Sequence, residues 1–238
     1  MPESLAFALV VIPCIVVAIV CHEVAHGYMA KALGDPTASE KGRLTLNPIK
    51  HVDPVGTLLV PGGLILLGGP PFGWAKPVPV RASRLNNPRF GMMAVAAAGP
   101  GINFVLAMLG AATLGVIGQA AGYVPGPGGL VFLANAAGET LAVETGLVYF
   151  VIINLFLGLF NLLPIPPFDG SHIVGGLLPD KLRFHWMRLQ RLGVLMILGV
   201  IAYSWIFGTG WLENTLVPAV EFVLDRLFGV FGYDLKLI

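Results

Sequence analysis

The chain has 238 residues, of which 56% are hydrophobic and only 11% charged, with a mean hydropathy of +0.82. That leaves too little polar surface to coat a water-soluble globule, and the composition predicts an all-α polytopic membrane protein built as one integral membrane domain, 1–238. A formal net charge of +1, with no basic cluster interleaved with aromatics, gives no case for a nucleic-acid partner.

The first predicted span runs from Leu5 to about Leu33 and stops at Gly34-Asp35-Pro36. The preceding Met1-Pro2-Glu3-Ser4 has no basic region, so a removable signal peptide is not expected. Leu5 to Val20 carries no charge, and then His22-Glu23-Val24-Ala25-His26 follows inside the same segment. Residues four apart on a helix are rotated by about 40° and displaced by about 6 Å, so His22 and His26 point the same way, with Glu23 flanking them. Two neutral imidazoles and a carboxylate suit zinc with one position left for water, and an adjacent Glu can take that water's proton. Polar groups at membrane depth cost about 2.5–3.5 kcal/mol each for charged types, so a chain that keeps them has a use for them. Cys14 and Cys21 lie about 10 Å apart along the same helix, too far for a disulfide.

From Glu40 to Arg89 the chain changes character. Lys41 to Pro48 alternates like a strand, and Trp74 to Val80 reads as an extended edge segment, so short membrane-associated β segments are expected in both places. Val55 to Gly69, apolar and glycine-rich with Pro61 inside, is short for a span and reads as a re-entrant or interfacial element. The second span covers about Gly91 to Ile117 and includes Gly99-Pro100-Gly101-Ile102-Asn103. Its small residues permit close helix approach, Gly-Pro can bend it, and Asn103 is expected to bond across an interface or to act in the site directly.

Residues 118–138 form a Gly/Pro loop without Lys or Arg. A third span, about Thr140 to Leu163, carries Asn154 and Asn161 and ends at Pro164-Ile165-Pro166-Pro167-Phe168-Asp169-Gly170. A basic stretch with Lys181, Arg183, Arg188 and Arg191 leads to a fourth span, about Leu192 to Phe207. The tail from Leu216 to Phe231 fits an interfacial helix, giving a core of 5–178 and a C-terminal part of 192–231.

Eight Lys or Arg lie between Lys31 and Arg89, none in 118–138, and four between Lys181 and Arg191. The positive-inside rule then puts the HEVAH end of the first span and the Pro167-Phe168-Asp169 turn together at the cytoplasmic face. The candidates for a third metal ligand are His51, Asp53, Asp169 and His172. Asp169 is preferred, because a helix broken by prolines at that face can aim a carboxylate inward; a plain Asp-Gly turn is the alternative.

The motifs HEVAH (22–26), GPGIN (99–103) and NLLPIPPFDG (161–170) together resemble HExxH, GPxxN and NxxPxxPxDG, the three signatures of the site-2 protease family of intramembrane zinc metallopeptidases, in the family's order. The resemblance covers about residues 8–178. Without a span before HEVAH or an inserted PDZ domain, it is to the short, minimal branch, whose loop pattern Asn-Pro-x-x-His-x-Asp-Pro-x-Gly stands here at Asn47 to Gly56. It implies one Zn²⁺ per chain held by His22, His26 and Asp169, Glu23 as the catalytic base, and Asn161 near the substrate or the developing oxyanion. His51 is a further candidate, as a substrate-positioning group or a resting-state zinc contact, its alternative being a cap on the following helix; Asn103 stands beside them with lower weight.

The expected activity is hydrolysis of a peptide bond in or near a transmembrane segment of a membrane protein, in the plasma membrane, with the active site toward the cytoplasm. The partners expected are that substrate, the lipid bilayer, and a regulatory membrane protein or a second copy of the chain. A catalytically silent zinc scaffold would not need Glu23. Neither a second cluster of ionisable groups nor an internal repeat supports a transporter.

Overall fold

The computed structural model describes residues 3–67, 73–118, 120–125, 131–190 and 192–233. Helix α1 (Glu3–Ala32) contains the apolar run and HEVAH, with Leu9, Ile12, Ile15 and Val17 exposed as lipid-facing side chains. Past its end Gly34 adopts φ +104°, which favours glycine, and a Cβ there would also press on the Asn86 side chain. One turn of helix, α2 (Thr37–Glu40), follows.

The loop to the next span contains a 3₁₀ turn at Pro48–His51 and a wide helical turn at Pro54–Leu59 that runs into α3 (Val60–Leu66). This apolar element is too short to cross a bilayer, in keeping with a re-entrant or interfacial placement. Residues 68 and 69 of the expected element lie outside the described residues, as does Arg191.

The strands expected at 41–48 and 74–80 are not present. Residues 73–81 are extended but pair with no second strand, because Pro77 and Pro79 have no N–H to contribute to a ladder. The segment is held by separate bonds: Trp74 N–H to the Gly56 carbonyl, Lys76 N–H to the His51 carbonyl, and the Arg43 guanidinium to the Lys76 carbonyl. The sheet lies instead in the loop at 118–138, where β1 (Gly122–Pro125) pairs antiparallel with β2 (Val131–Ala134), Tyr123 opposite Leu133.

Helix α4 (Pro88–Ile117) is continuous through Pro100 and packs between α1 and α5 (Ala142–Asn161). Its buried stripe of Ala96, Gly99, Pro100, Asn103, Ala107, Gly110 and Ala111 recurs every three or four residues, so the backbones of its neighbours approach closely. After α5 come α6 (Asp169–Leu177), α7 (Asp180–Gln190), α8 (Gly193–Phe207) and α9 (Trp211–Val230).

Among the described residues three helices are long and apolar enough to cross a membrane: Leu9–Ala32, α4 and α5. A fourth crossing exists if α7 and α8, which meet at 64°, act as one span. Alone, α8 has 15 residues, about 22 Å of helix against the roughly 30 Å of a hydrocarbon core. The tail helix α9, expected at the interface, docks a stripe of Leu216, Val220, Leu224 and Phe228 onto the bundle. Every fourth position is apolar there, which is why that face is covered.

Asp35 joins the exit of α1 to the extended segment. Fully buried, it accepts from the Thr37 N–H and hydroxyl and from the Arg81 N–H. Burial pushes its carboxyl up, but the bonds from Thr37 and Arg81 outweigh this and hold it below the usual carboxylate range. Asp35→Ala strands these donors and should cost about 2–3 kcal/mol, read as a lower melting temperature in detergent. Because the folded pKa is depressed, the carboxylate stabilises the fold above the unfolded value of about 3.9 and ceases to as pH falls through the folded value. The variant should lack this acid-dependent loss.

Candidate metal centre

His22 and His26 stand one turn apart on α1 and both are buried. Each ring is fixed from behind by α4. The His22 Nδ1 lies 2.6 Å from Asn103 Oδ1, and the His26 Nδ1 lies 2.7 Å from the Val95 carbonyl. The Asn103 amide is oriented in turn, since its NH₂ donates to the Ala18 carbonyl and to Asn154 Oδ1. Both Nδ1 atoms therefore face oxygens that only accept, so both carry hydrogen, and in neutral rings each Nε2 presents a bare lone pair.

Those lone pairs point at each other and at a carboxylate. The two Nε2 atoms are 3.0 Å apart, and Asp169 Oδ2 lies 3.1 Å from that of His22 and 3.3 Å from that of His26. Asp169 Oδ2 is buried without a hydrogen-bond donor. Three acceptors this close repel one another unless a proton or a metal cation lies among them. The separations match a zinc site, where ligands at about 2.0–2.1 Å in tetrahedral arrangement stand about 3.3 Å from each other. Among the described residues this is the His/Cys/Asp/Glu group whose donor atoms converge within reach of one ion.

Local sequence explains the convergence. Asp169 opens α6 after the proline-rich turn, and a Cβ on Gly170 would overlap the Leu162 and Leu163 carbonyls, so only glycine lets α6 start this close to the end of α5. On α4, Gly99 faces both imidazoles: a Cβ there would lie 2.5 Å from the His26 ring and 2.6 Å from that of His22.

A cleft of about 540 Å³ opens against the cluster, lined among others by Glu23, Trp74, Val78, Phe160, Asn161 and His172. Glu23 Oε2 accepts the Val78 N–H at 2.7 Å. Asn161 reaches the cleft while its amide donates to the Leu157 carbonyl.

The other sequence candidates stand elsewhere. Asn103 is fully buried and does not line the cleft; its amide oxygen and nitrogen are both engaged across the faces that α4 shares with α1 and α5, which is the interface bond the sequence predicts, and it supports His22. His51 is also buried away from the cleft, donating from Nε2 to the Thr45 carbonyl, and so it ties the loop together. Asp53 caps the Pro54 turn by accepting the Val55 and Gly56 N–H groups. His172 lines the cleft, with Nδ1 3.3 Å from the Gln190 side-chain nitrogen. Sequence reasoning did not assign the Val95 carbonyl, Asn154 or the Val78 N–H to the site; Asn154, a lone amide in an apolar helix, was the one visible signal.

The sequence profile of Peptidase family M50 matches residues 10–200. Over 190 residues the chain is 39% identical to “Putative zinc metalloprotease YwhC” of Bacillus subtilis (strain 168), covering 77% of this chain and 76% of that protein. It is 32% identical over 149 residues to “Putative zinc metalloprotease Rip2” of Mycolicibacterium smegmatis (strain ATCC 700084 / mc(2)155), covering 63% of this chain and 49% of that protein. No solved structure matches the chain significantly.

Gly99→Ala tests the packing of α4 against the cluster. The added methyl must displace a ring, and a misplaced ligand or its support costs about 10–100-fold in metal affinity. Titration with a zinc-competing chelator should show that loss while the helical circular dichroism is kept.

Proposed function

Because the chain belongs to Peptidase family M50, the site-2 protease family, we propose that it is an intramembrane zinc endopeptidase that cuts a membrane-protein substrate in or beside a transmembrane segment. The observation that carries this reading is the triangle of converging ligand atoms formed by His22, His26 and Asp169 on a membrane-length helix and the start of α6. These three residues would hold one zinc ion per chain. Bound there, zinc supplies Lewis acidity that makes water nucleophilic near neutral pH and polarises a carbonyl.

Glu23, one residue from the first ligand and on the cleft wall, accepts the proton of the attacking water on its carboxylate and returns it to the leaving amine. Asn161, on the same wall, is placed to meet the substrate backbone or the developing oxyanion. Asn103 and the Val95 carbonyl hold the imidazoles in one tautomer throughout.

The substrate enters locally unwound, since a helix hides its carbonyls in its own hydrogen bonds, and it lies extended against residues 74–80 of the cleft wall. The C-terminal end of α1, the start of α4 and the C-terminal end of α6 share one end of the bundle, linked by Asn86 N–H to the Leu33 carbonyl and by Arg89 to the Gly176 carbonyl. That end carries most of the basic residues, which supports a cytoplasmic active site in the plasma membrane.

Zinc content and cleavage of a transmembrane test peptide by wild type and Glu23→Gln in detergent decide the reading. Zinc at one per chain in both, with the variant slower by about 10²–10⁴-fold, is the expected result. Absence of zinc from the wild type, or equal cleavage by the two, would sink it. A proline or glycine pair introduced beside the scissile bond of a cleaved substrate should raise the cutting rate; an unchanged rate rejects the unwinding step.

A further inference from the structure

The Glu23 carboxylate is held by a group with no side-chain signature. Its Oε2 accepts the backbone N–H of Val78, 55 residues later in the chain, at 2.7 Å. From 74 to 78 the inward bonds come from alternate positions: Trp74 N–H to the Gly56 carbonyl at 3.0 Å, Lys76 N–H to the His51 carbonyl at 2.9 Å, then Val78 N–H to Glu23. That alternation is the two-residue period of an extended chain, so these three N–H groups point to one side.

Pro77 and Pro79 flank Val78 and have no N–H, so a slip of one residue in either direction would leave Glu23 facing a proline nitrogen. The register is secured by packing as well. The Val78 side chain is buried over Gly27, where a Cβ would lie 3.0 Å from Val78 Cγ1 and would also strike Leu44. Trp74, Pro77, Val78 and Val80 line the cleft, so its wall and the support of Glu23 are one piece of chain.

We infer that the Val78 backbone amide is the positioning group for Glu23: it holds one carboxylate oxygen, leaves the other for proton transfer, and makes the aim of the base depend on where the occupant of the cleft sets the 73–81 segment. This rests on Glu23 being the base. A carboxylate on a flexible side chain is useful in the transition state only while it is aimed, so loss of its anchor acts on turnover. Substrate affinity, set by the apolar wall, should change little.

The test compares Val78→Pro with Val78→Ala in the full chain, purified in detergent, with zinc content, melting temperature and steady-state cleavage of a transmembrane test peptide as readouts. Val78→Ala trims the same side chain but keeps the donor. Relative to it, Val78→Pro should show kcat lower by about 30–100-fold, KM within about 3-fold, and one zinc per chain. Equal kcat in the two variants overturns the assignment, and so does a raised KM with kcat kept, which would make the segment a substrate wall alone. Should Val78→Pro fail to fold or to hold zinc, Gly27→Ala decides, because it retains the amide but adds a methyl between α1 and the Leu44 and Val78 side chains, which must shift to admit it. Lower kcat at constant KM and zinc supports the assignment; wild-type kcat overturns it. Glu23→Gln is run alongside, and activity in that variant removes the base itself, an outcome no Val78 result can mimic.

Discussion

Two imidazole lone pairs and a carboxylate oxygen, each about 3 Å from the others in a buried site, repel one another. Much of the surrounding structure resists that repulsion. Helix α1 sets the spacing of the imidazoles through its own periodicity, α4 fixes their tautomers, α5 orients the amide that fixes one of them, and α6 brings the carboxylate across. The glycines are part of the same constraint. Gly99 lets α4 touch both rings and Gly170 lets α6 begin against the last turn of α5, so the side chains that would relax the cluster are the ones the sequence omits.

The segment between the first two long helices does for Glu23 what α4 does for the histidines. Its prolines remove two of the donors a strand would need, and the N–H groups of Trp74, Lys76, Val78 and Arg81 go to Gly56, His51, Glu23 and Asp35, which tie it to both the loop and α1. An edge that lacks donors at 77 and 79 is also poorly suited to pairing with another copy of itself. The segment can thus line the cleft without recruiting a second strand of its own.

Part of this cluster is legible in the sequence because its spacing is chemical: HExxH prescribes a helix face, whereas Asp169 stands out from a plain Asp-Gly turn mainly through the motif it shares with the site-2 protease family. The long helices are legible because apolar runs of that length have few other uses. Two kinds of feature were not readable. The alternation at 41–48 and the extended reading of 74–80 suggested strands, yet alternation records only which side chains face inward, and in 74–80 two prolines remove donors that a ladder needs. The roles of Asn103 and His51 stay open in the sequence for a related reason: a buried amide or imidazole looks the same there whether it meets substrate or supports a neighbour. Only the observation that Asn103 is fully buried with its amide engaged on both sides separates the two.

The opposite end of the bundle shows what a polar cluster looks like when it is structural. There Glu144 is buried and accepts from the Tyr233 hydroxyl and the Ala120 N–H, while Thr145 accepts the Leu133 N–H and the Tyr149 hydroxyl meets both polar groups of Val131. These α5 side chains fasten the small sheet and the end of the tail helix, and in each of these contacts an acceptor meets a donor. At the other end the arrangement is reversed, with three acceptors turned toward each other and Asp169 Oδ2 left without a donor. A buried unsatisfied polar atom costs about 1–3 kcal/mol, more for a charge. A membrane bundle able to satisfy its polar groups so fully at one end has no structural reason to oppose three acceptors at the other, and the asymmetry therefore marks the end built to hold a cation.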